Sequence, residues 1–343
     1  MRVLLTGHRG YVGTVLTTML VDAGHDVVGC DIDLFERATY PSGQREVAIP
    51  AIERDVRDIT PGDLEGFDAV LHLAGLSNDP LGDLDPALTA QINHLASVEL
   101  ARSSKAAGVE RFVFSSSCSN YGAGGKDMLD EGSDFNPVTP YGHSKADTER
   151  DVAPMADDNF SPTFLRSSTA YGVSPRLRFD LVLNNLTAWA YTTGEVFMKS
   201  DGTPWRPIVH IEDMAAAFVA TLDAPREAIH NEAFNVGSTA ENYRISELAE
   251  LVAATVPDSR VEYAEGAGPD TRTYRVNCDK IADVLPTYKP TWTAQKGIDE
   301  LLASYQAVGI DPADFEGPRY KRIDHLKMLL ADGVIAGDLR RIS

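Results

Sequence analysis

The chain has 343 residues, 43% of them hydrophobic, and a formal charge of −20 from 31 basic and 51 acidic side chains. That composition is globular, and its acidity argues against a nucleic-acid partner, because phosphate backbones attract basic faces. No run approaches the ~18 apolar residues of a membrane span, so no membrane association is expected.

The first predicted strand, residues 2–6, runs into TGHRGYVG and a helix over 11–23. Gly7, Gly10 and Gly13 thus sit in a strand–turn–helix unit, where backbone amides and the positive helix end can hold a pyrophosphate. The N-terminus therefore reads as a structural strand, not a signal peptide. A second strand, 26–30, leads into Asp31, eighteen residues after Gly13. A carboxylate there accepts from the adenosine ribose hydroxyls and repels a 2′-phosphate, which selects NAD over NADP. Arg9 is the one local argument for a phosphate instead.

Further strands are predicted at 51–55, 69–73, 111–115 and 163–166, with helices at 86–107 and 141–153 between them. Asp85-Pro86 and Thr139-Pro140 mark helix entrances, since proline is tolerated in the first turn. The alternation implies an α/β fold, a doubly wound parallel Rossmann sheet with helices on both faces. The strand at 111–115 is followed by serines in FSSSCSNYG, at the carboxyl end of the sheet, where ligands bind. In YGHSK, Tyr141 and Lys145 stand four apart and so share one side of a helix. A phenol titrates near pKa 10, and an ammonium one turn away eases its use as a base.

Beyond 166 prolines punctuate shorter elements, as expected of a substrate-holding lobe. Residues 1–166 are read as the NAD-binding domain, with strands at 207–211 and 232–236 returning to its sheet, so that the lobes interleave. Residues 167–204 and 241–343 then form the smaller lobe and a C-terminal helical tail. In that tail Ile323, Leu326, Leu329 and Leu330 follow helical spacing, suiting a helix packed on the small lobe or on a partner subunit. Cys30, Cys118 and Cys278 form neither a metal-spacing motif nor a disulfide framework, which suggests the reducing cytoplasm and no metal site. Cys118 is read as a packing thiol, His210 as a satisfied core residue and His143 as a bystander on another helix face.

These motifs, with RDVRD, HLAG, Asn93, LRSSTAYG and RPIVHIED, resemble the extended short-chain dehydrogenases/reductases of the sugar-nucleotide epimerase/dehydratase family across nearly the whole chain. The resemblance implies a Rossmann domain with a small C-terminal lobe, a tightly held NAD and a nucleotide-sugar substrate. It makes Tyr141 the base, Lys145 its partner and Ser117 the hydroxyl at the reacting sugar oxygen. Around the cofactor it implies Gly7, Gly10, Tyr11, Val12, Gly13, Asp31, Asp55, Val56, Leu73, Ala74, Gly75 and Ser115, besides Tyr141 and Lys145. Around the substrate it implies Ser117, Ser119, Tyr141, Asn185, Arg206 and Arg272, with the arginine forks suited to phosphate oxygens. It also implies a homodimer paired through the helices at 86–107 and 141–153.

Within that family the 4,6-dehydratases carry an Asp-Glu pair where Cys118 and Ser119 stand, and the glucuronate decarboxylases a Glu at Ser119. Dehydration needs an acid for the departing hydroxyl, so both are disfavoured. An epimerase acting at carbon 4 through a 4-keto sugar is the leading expectation. A 4-dehydrogenase or 4-ketoreductase with net NAD(H) turnover is the alternative, and a non-catalytic NAD-binding scaffold a third. Thr169 stands where the UDP-galactose epimerases carry an Asn, a departure from their pattern.

Overall fold

The computed structural model describes residues 1–125, 127–266, 268 and 272–342. Seven strands form one parallel sheet, ordered Glu232–Val236, Ser161–Ser167, Arg111–Ser117, Ala69–His72, Arg2–Thr6, Asp26–Cys30 and Ala51–Ile52. The order reverses between Arg2–Thr6 and Ala69–His72, and a crevice opens there at the carboxyl ends. Every residue of Ala69–His72 and Ser161–Ser167 is buried, as a parallel sheet covered on both faces requires. Alternation sorts the first strand between two cores. Val3 and Leu5 pack with Leu16, Leu20 and Phe218 on one face, while Leu4 packs with Val98, Phe112 and Phe164 on the other.

The helix Tyr11–Asp22 begins at Gly10, and Pro140–Val152 begins at Thr139, whose Oγ1 accepts from Gly142 N–H at 3.1 Å. Asp85 caps the other proline entrance by accepting from Leu88 N–H at 3.0 Å. The helical stretch that follows contains a π-helical turn, Ala90–Leu95, inside an otherwise α-helical run. That turn aims Asn93 at the crevice loop, where Oδ1 accepts from Leu76 N–H at 2.7 Å and Nδ2 donates to Leu76 C=O at 2.9 Å.

Three expectations need correction. The strand expected at 51–55 stops at Ile52, because Asp55 caps a 3-10 turn by accepting from Arg57 N–H and pulls the chain off the sheet edge. Of the two strands expected to return to the main sheet, only Glu232–Val236 does so. Trp205–His210 instead lies between Thr169–Tyr171 and Asn242–Arg244 in a separate three-stranded sheet. The tail helix, Arg322–Ala331, is not confined to the small lobe. Its Leu326 and Leu329, with Ile335 and Leu339, cluster against Leu76, Leu81, Leu88 and Ile92 of the nucleotide-binding half.

Candidate active site

A cleft of about 860 Å³ runs along the carboxyl ends of the sheet, from the glycine turn to the serines after Arg111–Ser117. Its floor begins at Gly7, whose φ of +75° belongs to the left-handed region. A Cβ there would lie 2.8 Å from Ala74 N, and one on Gly13 only 2.1 Å from Gly7 O. Backbone thus packs on backbone, which leaves the start of Tyr11–Asp22 open to the cleft. Gly10 caps that helix with no side chain, so its first amides are left for an anionic ligand. Asp31 is held by backbone, its two oxygens accepting from Arg9 N–H at 3.0 Å and Asp33 N–H at 2.7 Å. Arg9 itself is committed to carboxylates, 3.1 Å from Glu53 and 3.7 Å from Asp33, which removes the local case for a 2′-phosphate. These features fit a dinucleotide.

Val56, Leu73, Ala74 and Gly75 line the same side. Thr6 Oγ1 accepts from both Leu73 and Ala74 N–H at 3.2 Å and bonds His72 Nδ1 at 2.7 Å. His72 Nε2 reaches Ser97 Oγ at 2.7 Å, and complete burial pulls this imidazole down to about 3. Asp55 is gripped by Arg57, which donates from Nη2 at 2.6 Å. Hydrogen bonds from Arg57 outweigh burial and hold the Asp55 carboxyl below its ordinary value.

Tyr141, Lys145 and Ser117 converge on the opposite end of the same wall. Ser117 is the last residue of its strand, paired with Ser167, and its hydroxyl lies close enough to the Tyr141 phenol to ease that group's ionisation. Desolvation pushes that phenol up to about 12. Lys145 Nζ donates to Ser115 C=O at 2.7 Å and lies 5.7 Å from the Tyr141 ring. Burial pulls its ammonium down to about 8, partly opposed by Glu149.

One turn beyond Lys145, Glu149 is buried in a network absent from the sequence reading. It accepts from Arg166 Nη2 at 2.8 Å, from Asn120 Nδ2 at 2.9 Å and from Ser116 Oγ. Arg166 Nη1 continues to Tyr121 Oη and Glu131 C=O, both at 3.0 Å. Such an ion pair contributes rigidity only when its remaining polar atoms are met, as most are here. The LR of LRSSTAYG was the available signal, but nothing marked Glu149 as its partner.

The other wall is assembled from distant segments. Arg206 is buried, with Nη1 donating to Trp205 C=O at 2.9 Å and to Arg272 C=O, and it lies 5.6 Å from the Tyr274 ring. Arg272 pairs with Asp79, whose other oxygen accepts from Thr139 Oγ1 at 2.6 Å. Ser119 lines the cleft near the Tyr274 phenol. Asn185 also lines it, but its amide donates to Glu316 at 3.0 Å. Burial alone would raise the Glu316 carboxyl; hydrogen bonds from Asn185, Lys199 and Trp189 hold it below its ordinary value. The neighbouring Asn184 is a buried brace, accepting from Gly172 N–H and donating to Arg178 C=O. Arg178 is buried on Asp180 and Ser77, and Asn78 donates to Asp180 at 2.6 Å. Arg178, Asp79, Tyr274 and Glu316 went unnoticed in the sequence, where no motif marks them.

Cys118 is fully buried, donates to Arg166 C=O at 3.1 Å and is pushed up to about 12 by burial, in keeping with a packing thiol. His210 is also a core residue, stacked on Trp292 and 3.0 Å from Glu300. His143 sits on the exposed face of its helix. Among the described residues no cluster of metal-ligating side chains occurs, and no helix is long and apolar enough to cross a membrane.

Residues 3–237 match the model of the NAD dependent epimerase/dehydratase family. The UDP-glucose 4-epimerase of Corynebacterium glutamicum is 31% identical over 270 residues, covering 73% of this chain and 79% of that protein. That of Rhizobium leguminosarum bv. trifolii is 27% identical, over 88% of this chain and 95% of its own. Among solved structures, MoeE5 in complex with UDP-glucose and NAD superposes with a TM-score of 0.74 at 26% identity, covering 90% of this chain and 99% of that one. The glycine turn, the fixed Asp31 and these likenesses agree: the chain belongs to the NAD-dependent epimerase/dehydratase family and takes NAD as its cofactor.

Proposed function

We propose that the chain is an epimerase of a nucleoside-diphosphate sugar that inverts carbon 4 through a transient 4-keto sugar. The observation that carries this reading is the convergence of Tyr141, Lys145 and Ser117 on a cleft whose other end is the glycine turn. In it Tyr141 Oη takes the proton of the 4-hydroxyl, and Ser117 donates to that oxygen and fixes its position. Lys145, held by Ser115 C=O one turn from Tyr141, places a positive charge where a phenolate forms. Bound NAD would supply the hydride acceptor and donor for carbon 4. The turn from Gly7 to Gly13, with Tyr11 and Val12, holds its diphosphate, Asp31 its adenosine ribose, Asp55 and Val56 its adenine, and Leu73, Ala74 and Gly75 its inner side.

Arg206 and Arg272 face the diphosphate of the sugar nucleotide, with Ser119 and Asn185 beside it. Elimination is disfavoured at this site. Cys118 is turned away into the core, Ser119 offers only a hydroxyl, and both oxygens of Asp79 are already engaged. The reading includes a cytoplasmic homodimer paired through the helices that end in Ala96–Ala106 and Pro140–Val152; three free thiols suit a reducing compartment.

The test is a panel of sugar nucleotides, led by UDP-glucose, with products identified by mass spectrometry and NMR while NADH absorbance is followed. An isomer of unchanged mass with no net NADH is expected. A product lighter by two hydrogens, matched by NADH, would replace the epimerase with a 4-dehydrogenase.

A further inference from the structure

The C-terminal segment reaches back across the nucleotide-binding half, and two independent features of it concern the cofactor. The first is Arg322, at the start of the helix Arg322–Ala331. It is only 3% exposed, lines the cleft and lies over the Phe35 ring at 4.2 Å. Its Nη2 donates to Arg176 C=O at 2.9 Å, while Nη1 has no hydrogen-bond partner among the described residues. The neighbouring charges relieve it only in part, through Asp180 and Asp33. Arg178 and Arg176 repel it, and the nearby carboxylates are taken: Asp180 by Arg178, and Asp33 by Arg176 at 2.9 Å. Burial, with those two arginines, pulls this guanidinium down to about 9. A buried cationic donor with an unmet N–H is costly, and an anion entering the cleft would meet it.

The second feature is the strap formed by residues 338–341. Arg57 Nη1 donates to Asp338 C=O at 2.9 Å, and Arg340 pairs with Asp58, so the strap is tied to the turn after Asp55. Arg341 donates from Nε to Ile32 C=O at 2.7 Å and from Nη2 to Asp33 C=O at 2.6 Å, so it is also tied to the loop after Asp31. Between these anchors Leu339 is buried and lines the cleft. The strap therefore crosses the two loops between which the adenosine half of the dinucleotide is read to lie. Its exposed ion pairs contribute little. The cluster of Leu326, Leu329, Ile335 and Leu339 against Leu76, Leu81, Leu88 and Ile92 holds it down.

We propose that residues 322–341 are a wall of the cofactor site, in which Arg322 receives a diphosphate oxygen of bound NAD and Leu339 closes the adenosine end. The wall slows release of the cofactor. That consequence deepens the epimerase reading and rests on it, because a redox-neutral cycle regenerates its cofactor in place and gains from never releasing it.

The test uses the full chain, stripped of nucleotide, with NAD and UDP as separate probes. Arg322→Met keeps the volume and removes the charge. NAD affinity by calorimetry should fall about 10- to 100-fold, the size of a lost charge-assisted hydrogen bond, while UDP affinity stays within about twofold. Without nucleotide this variant should melt no lower than the parent, since an unpaired buried charge has been removed. Leu339→Ala, which opens the adenosine end, should speed NAD dissociation and lower the NAD carried through purification. Unchanged NAD affinity and dissociation in both folded variants would overturn the proposal. So would loss of UDP binding in place of NAD binding, which would assign Arg322 to the substrate diphosphate. A lower melting temperature of stripped Arg322→Met would make its role structural and overturn it too. No sugar turnover enters these readouts, so failure here is distinct from failure of the epimerase reading.

Discussion

The two walls of the cleft are built in different ways. The wall bearing Tyr141, Lys145 and Ser117 consists of strand ends and helix starts whose partners are close in sequence: Lys145 is tied to Ser115, and Ser117 caps Ser119. The facing wall is gathered from afar. Arg178 meets Ser77 across 101 positions, Asn78 meets Asp180 across 102, and Arg272 meets Asp79 across 193. The first wall repeats a geometry that local pattern dictates. The second depends on how loops of the smaller lobe happen to meet, so it is free to vary with the substrate. Under the proposed function, chemistry and selectivity are thereby separated in the chain as well as in space.

Substitutions on the two walls should fail in different ways, and two of them sharpen the contrast. On the near wall, Tyr141→Phe removes the phenol proposed as the base and leaves the cleft shape intact. Turnover should fall about 10³-fold, with NAD affinity unchanged; activity near that of the parent would break the assignment of the base. On the far wall, Arg272→Ala removes a guanidinium from the substrate side without touching the Tyr141–Lys145 pair. A rise in KM of about tenfold, with kcat changed much less, is the expected split. An equal fall in kcat with unchanged KM would mean that the two walls do not divide their work.

The same contrast governs what could be read from the chain. The strands Arg2–Thr6 and Asp26–Cys30 lie where the alternation of apolar and turn residues put them, as does the helix start at Thr139-Pro140. Gly7 and Gly13 were legible because one backbone geometry demands them, and Asp31 because it directly follows the second strand. Trp205–His210 was recognised as a strand, but an apolar run does not say which sheet it joins, and it pairs with Thr169–Tyr171 instead. The tail showed a helical apolar stripe and no sign of its partner, the cluster of Leu76, Leu81, Leu88 and Ile92. Glu149 looked like one more charge on a helix until folding brought Arg166 against it. Arg178, Tyr274 and Arg322 carry no spacing rule at all; only the closed fold brings them to the cleft.

The central claim is that this cleft inverts a sugar carbon by removing and restoring the same hydride, with the cofactor held throughout. The most direct measurement supplies UDP-glucose bearing deuterium at carbon 4, with excess unlabelled NADH in solution, and follows the product by mass spectrometry and NMR. The account predicts the 4-epimer with deuterium still at carbon 4 and none in the free NADH. Loss of the label to the free cofactor, or a 4-keto product two hydrogens lighter than an unlabelled substrate, would contradict it.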